Sequence, residues 1–167
     1  TVLTIGFFLR DFVEIYLRNQ NVIIFSTIFF GVLLLLFDFF KKDRELNELN
    51  WKDSLIIGCF QIFALLPGAS RSAVTIMGAF YLGFKNTTAL KISFLLAIPT
   101  LCFIFIGENL AINFQYEIGL TNLILTSLTS FLTAFFTIHF FLKLVDKIGF
   151  LPFVFYRILL GLLLFFI

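Results

Sequence analysis

The chain has 167 residues, of which 60% are hydrophobic and only 13% charged, with a mean hydropathy of +1.07. Soluble domains carry about 25% charged residues, so a water-soluble globule and a disordered chain are both excluded. A net charge of +2 leaves no nucleic-acid footprint, and one His with two separated cysteines, Cys59 and Cys102, gives neither zinc nor redox spacing.

A helix that crosses a bilayer needs roughly 20 apolar residues. Residues 1–16 are apolar but interrupted by Arg10, Asp11 and Glu14. They open on Thr1 and read as the remnant of a membrane helix, in a chain expected to be incomplete at its N-terminus. Residues 22–40 form the first full span, with Asp38 near its end. The polar stretch KKDRELNELNWKD, 41–53, follows as a connection.

The next region is too short to cross the bilayer in pieces. Residues 54–66 and 73–83 are apolar, and PGASRS separates them, from Pro67 to Ser72. Pro and Gly stop a helix. Irregular backbone at membrane depth survives only where protein or a water-filled cavity covers it. Residues 54–83 are therefore predicted to dip into the membrane as one re-entrant helix–loop–helix. After a connection at 84–91 comes a span at 92–106, extendable toward Thr88 and kinked at Pro99. A connection at 107–119, a span at 120–142, a connection at 143–149 and a last span at 150–167 complete the chain. The fold class expected is an all-α integral membrane bundle, one membrane domain over 1–167.

Charge tests the re-entrant reading. If residues 54–83 return to their starting side, the loops 41–53, 84–91 and 143–149 share that side. They hold Lys41, Lys42, Arg44, Lys52, Lys85, Lys91, Lys143 and Lys147. The connection 107–119 holds only Glu108 and Glu117. The positive-inside rule then places the three basic loops in the cytoplasm of a multi-pass cell-membrane protein. Arg18 is a minor exception.

Arg71 is the most informative residue. A charge at the bilayer centre costs about 2.5–3.5 kcal/mol on insertion scales and marks a functional site by default. Pro67 and Gly68 permit a tight turn, and Ser70 or Ser72 can cap the second short helix. The start of that helix offers free N–H groups and a positive dipole end, which bind phosphate. Thr75, four residues on, shares a helical face with Arg71. A guanidinium grips phosphate in a fork, more strongly when buried. Two other readings stand beside this one. Arg71 could be paired with a carboxylate in a purely structural subunit, or the broken helix could belong to a transporter or channel half.

The run IGCFQIFALLPGASRSAVTIMGAF, from Ile57 to Phe80, resembles the second signature region of the bacterial undecaprenyl-diphosphatase (bacitracin-resistance protein) family, Pro-Gly-x-Ser-Arg-Ser-x-x-Thr. Pro67, Gly68, Ser70, Arg71, Ser72 and Thr75 match it. SFLLAIP, starting at Ser93, and PFVFYR, ending at Arg157, are also similar to the family. The resemblance implies an integral membrane hydrolase that removes the terminal phosphate of a C55 polyprenyl diphosphate, regenerating a lipid carrier for peptidoglycan synthesis. It implies Ser70, Arg71 and Thr75 as catalytic-site residues, and Gly68, Ser70, Arg71 and Ser72 around the phosphate. Ser72 is left open between binding phosphate and holding the turn.

The family's architecture is an inverted repeat with two re-entrant units. The first, carrying a glutamate-rich motif, a serine and a histidine, has no counterpart before Val22. The likeness therefore covers the C-terminal part. A Mg or Ca ion is implied for the family, with its ligands outside this chain. A further departure is Ala73, where many members have glycine. The partners implied are the polyprenyl diphosphate and the membrane, with a homo-oligomer left open.

Other polar residues have blander readings. His139 is expected to hydrogen-bond across helices. Gln61 is expected to brace the re-entrant backbone. Arg157 is expected to pair with an Asp or Glu of another helix, or else to contact the diphosphate. Ser127, Thr129, Ser130 and Thr133 suit helix–helix contact.

Overall fold

The computed structural model describes residues 13–111 and 119–165. Residues 1–12 of the helix remnant read over 1–16, the centre of the 107–119 connection with Glu117, and the last two residues lie outside the described residues. After a short π-turn at Val13–Leu17 the chain forms six α-helices among the described residues. They are α1 (Gln20–Asp38), α2 (Trp51–Phe60), α3 (Arg71–Tyr81), α4 (Asn86–Ala111), α5 (Leu120–Ile148) and α6 (Leu151–Phe165). Among the described residues, three stretches are long and apolar enough to cross a membrane: Gln20–Asp38, Asn86–Gly107 and Thr121–Ile148. The chain is a multi-pass membrane protein built as a helical bundle.

α1 starts where Asn19 caps the Asn21 amide at 3.1 Å. It ends at Asp38, whose carboxylate Lys41 meets at 2.8 Å. α2 starts at a capping box: Asn50 accepts from Asp53 N at 3.0 Å, and Asp53 returns the bond to Asn50 N at 3.0 Å. The helix then tightens into a 3-10 turn, Gln61–Leu65, before the break. α3 follows, and its residues 73–80 are buried without interruption. A helix buried on every side belongs at the centre of a bundle. α2 crosses it where a Cβ on Gly78 would stand 3.0 Å from the Phe60 ring.

The two short helices end where they began. The amides of Lys42 and Arg44 both donate to the Gly83 carbonyl, and Lys85 N donates to the Arg44 carbonyl. The Arg44 side chain ties the ends further. It donates to Leu82 O at 3.3 Å and Glu48 O at 2.8 Å, and its Nη2 meets Asp53 Oδ2 at 2.6 Å. The guanidinium also lies 4.4 Å above the Phe84 ring. The start of α2 and the end of α3 thus sit at one level.

α6 lies along α1, and small residues allow it. A Cβ on Gly161 would come 2.5 Å from Ile28 Cγ1, and one on Gly31 would lie 3.7 Å from Arg157 Cβ. α5 is almost wholly exposed, meeting α6 through Phe141 and Phe153, whose ring centroids are 4.7 Å apart. Exposed apolar surface of this extent suits a lipid solvent.

Three expectations on the connections need correction. Residues 86–91 are not loop but the first turns of α4, and α4 continues through Pro99 to Ala111. Residues 143–148 are likewise helical, and α5 stops only at Gly149, with φ 66°. Charged residues end an apolar run, but they do not end a helix; the glycine does. α6 has 15 residues among the described ones.

Candidate functional site

PGASRS forms the turn between α2 and α3. Gly68 has φ 88°, and a Cβ there would stand 2.7 Å from Ile23 O and 2.8 Å from Thr27 Oγ1. Only glycine suits both the backbone and the space against α1. Ser70 caps α3 from φ 64°, among the described residues the single non-glycine with positive φ. Its hydroxyl lies 3.5 Å from Ala73 N and 3.2 Å from Ser72 Oγ. Val74 N makes the first helical bond, to Ser70 O at 3.2 Å. The amides of Arg71 and Ser72 therefore have no partner within the helix.

Arg71 is the first residue of α3 and is half-buried. Among the described residues its guanidinium has no hydrogen bond and no carboxylate partner. Thr75, by contrast, is only 1% exposed. Its hydroxyl stands 3.1 and 3.0 Å from the carbonyl oxygens of Arg71 and Ser72, and 2.8 Å from Ser93 Oγ of α4. The structure thus brings together the two serines and the helix start. It sets Thr75 one turn below them, turned into the α3–α4 seam.

The second arginine is at the same loop. Arg157 of α6 donates from Nη2 to Gly68 O at 2.5 Å and from Nη1 to Ala69 O at 3.4 Å. Among the described residues it meets backbone carbonyls and no Asp or Glu of another helix. Gln61 braces differently too: it donates to Thr100 Oγ1 at 3.0 Å, locking the 3-10 turn to α4 rather than to the loop. His139 is exposed on α5 beside Phe140 and makes no cross-helix hydrogen bond among the described residues. Thr129 bonds back to Leu125 O within α5, and no neighbouring helix meets it among the described residues.

A cavity of about 380 Å³ opens beside the loop. Ser70, Ser72 and Arg157 line it at the turn; most of the rest is apolar, including Ile76, Leu90, Phe94 and Phe141, with Thr137 and Tyr156 among them. Ala73 stands in its wall, and Arg71 is not among its lining residues. A larger hollow of about 980 Å³ runs along the outer face of α5, from Phe136 to Lys147, and includes no residue of the turn. Ser70, Ser72 and Arg157 belong to the smaller one.

A family model described as bacitracin resistance protein BacA matches residues 1–163. The chain belongs to this family. Its relatives include undecaprenyl-diphosphatase of Marinobacter nauticus, 41% identical over 158 residues, covering 93% of this chain and 60% of the relative. Undecaprenyl-diphosphatase 1 of Pseudoalteromonas translucida is 41% identical over 160 residues, covering 94% and 60%. That of Aliivibrio salmonicida is 43% identical over 161 residues, covering 93% and 59%. The chain spans about 60% of the length of these curated relatives.

For a BacA-family chain a divalent cation was an expectation. Among the described residues no three His, Cys, Asp or Glu side chains stand together. The described residues therefore offer no three-ligand set for such an ion. Ser93 and Thr100, which fasten α3 and the 3-10 turn to α4, were missed as supporting residues. Their signal was weak: two hydroxyls inside an apolar run.

Proposed function

We propose that this chain takes part in hydrolysis of the terminal phosphoanhydride of a C55 polyprenyl diphosphate. It would do so in a bacterial cell membrane, with its basic loops in the cytoplasm. Water adds to the terminal phosphorus, the anhydride P–O bond breaks, and inorganic phosphate and the lipid monophosphate leave. The observation that carries this is the guanidinium of Arg71. It has no partner among the described residues and belongs to the first residue of a helix whose first two amides have no partner within the helix, between Ser70 and Ser72 in the chain. Such a group neutralises charge building on the transferring phosphoryl oxygens, commonly the largest catalytic contribution.

The cavity supports the lipid part of the reading. Ser70, Ser72 and Arg157 line it at the turn and its walls are mostly apolar, as an anion carried on an isoprenoid requires. The names of the relatives point to the same substrate. Ser70 and Ser72 would bind phosphate directly. Thr75 would act from one turn below by holding the first-turn carbonyls and Ser93. The returning 54–83 unit would be re-entrant, which the shared level of its two ends supports.

The experiment supplies undecaprenyl diphosphate to the full-length protein in detergent and measures inorganic phosphate. Steady release, with no solute flux across vesicles carrying the protein, is expected. Flux without release would overturn the reading in favour of a transporter half.

A further inference from the structure

Two arginines flank the turn, and they are used in opposite ways. Arg71 keeps its fork free among the described residues. Arg157, from a helix far along the chain, spends two N–H groups on successive carbonyls, those of Gly68 and Ala69. No described carboxylate pairs with it. We propose that Arg157 is a positioning residue for the anion-binding turn, a role that builds on the phosphatase reading above.

A peptide unit is planar and trans, so its N–H points opposite its C=O. Holding Gly68 O fixes the direction of Ala69 N–H, which donates to Leu66 O at 3.1 Å. Holding Ala69 O fixes the direction of Ser70 N–H, away from Arg157. That plane sets the entry into Ser70 at φ 64° and hence the start of α3. The same bonds cover two carbonyl dipoles whose negative ends would otherwise border an anion site.

The reach of Arg157 is set by packing. Gly31 on α1 lets α6 approach at the level of Arg157, and Gly161 does so one turn further on. Gly68 packs on α1 at Ile23 and Thr27. α1 is thus a common floor for the loop and for the helix that carries the guanidinium. A planar fork can hold two neighbouring carbonyls at once, whereas an ammonium is a single point. Lysine at 157 would keep the charge and part of the hold.

Amide hydrogen exchange of the substrate-free protein in micelles tests this. Arg157→Gln should speed exchange of the bonded loop amides, those of Ala69 and Ala73, by about tenfold or more while α1 and α6 stay at wild-type rates. Arg157→Lys should fall between, and Arg71→Lys should leave loop exchange unchanged. In phosphate release, Arg157→Lys should recover much of the kcat/KM lost in Arg157→Gln. Unchanged loop exchange in both Arg157 variants would overturn the proposal, as would an equal rise through α1 and α6. If the glutamine variant does not fold, the lysine variant decides alone, by a rise confined to the loop or none. Exchange needs no substrate, so failed phosphate release would sink the phosphatase reading and leave this one standing.

Discussion

Ser70 holds a backbone conformation that costs an L-residue about 1–3 kcal/mol unless its surroundings impose it. Those surroundings are Gly68 pressed on α1, Arg157 gripping two carbonyls, and the Ser70 hydroxyl on Ala73 N. Gly68→Ala should lower the thermal midpoint and disable the turn, because the methyl meets main chain as well as a positive φ. A wild-type midpoint in that variant would contradict the packing described here. Thr75 and Ser93 form a buried hydroxyl pair. Thr75→Val leaves Ser93 without its partner, a loss of about 1–3 kcal/mol. Ser93→Ala added to it should cost less than the sum of the singles, with a coupling of about 0.5–3 kcal/mol in a double-mutant cycle. Strict additivity would deny the contact. At this scale the sequence revealed Arg71, Ser70 and Gly68, since a cation and helix breakers inside an apolar stretch need a reason. It did not reveal what Arg157 holds, because carbonyl partners leave no side-chain signal. The four-residue step from Arg71 to Thr75 suggested a shared face. Both do stand in one helix, and the Thr75 hydroxyl is taken up by the carbonyls of its own turn and by Ser93.

The α2–turn–α3 unit is closed at its base by Arg44. Burial opposes ionisation of Asp53, yet hydrogen bonds from Arg44 and from Asn50 N overcome this and hold its carboxyl below the ordinary value of 3.8. Stability from this group is therefore fully present above pH 3.8 and is lost as pH falls further, through the folded pKa. Asp53→Asn should lose that stability at neutral pH and flatten the acid limb of a denaturation profile. An unchanged acid limb would argue against the clamp. Nearby, Lys85 holds Glu45 below its usual range, but both are exposed and add little. The short helices were legible because neither apolar piece could span and PGASRS lay between them. Helix ends were less legible. Residues 143–148 continue α5 because Lys, Asp and Lys do not interrupt a backbone ladder, and the stop waits for Gly149.

Across the whole molecule, apolar surface faces outward on α4 and α5, while the α3 core is closed. This inversion of the soluble pattern was readable from composition alone. The path of residues 54–83 was readable from the two short apolar pieces and from charge bias, and the Arg44 junction now supplies a geometric support. In a background lacking Cys59 and Cys102, cysteines at Asn47 and Lys91 should react with an impermeant thiol reagent from the same side. A cysteine at Asn122, where α5 begins, should react from the other. Labelling of Asn47 and Lys91 from opposite sides would refute the returning path. The most direct test of the central claim is phosphate release from undecaprenyl diphosphate by the full-length protein carrying Arg71→Lys. Loss of the planar fork should lower kcat/KM by about 100-fold or more, equivalent to about 2.7 kcal/mol of transition-state stabilisation, with the fold intact by thermal midpoint. Wild-type turnover in that variant would contradict the account.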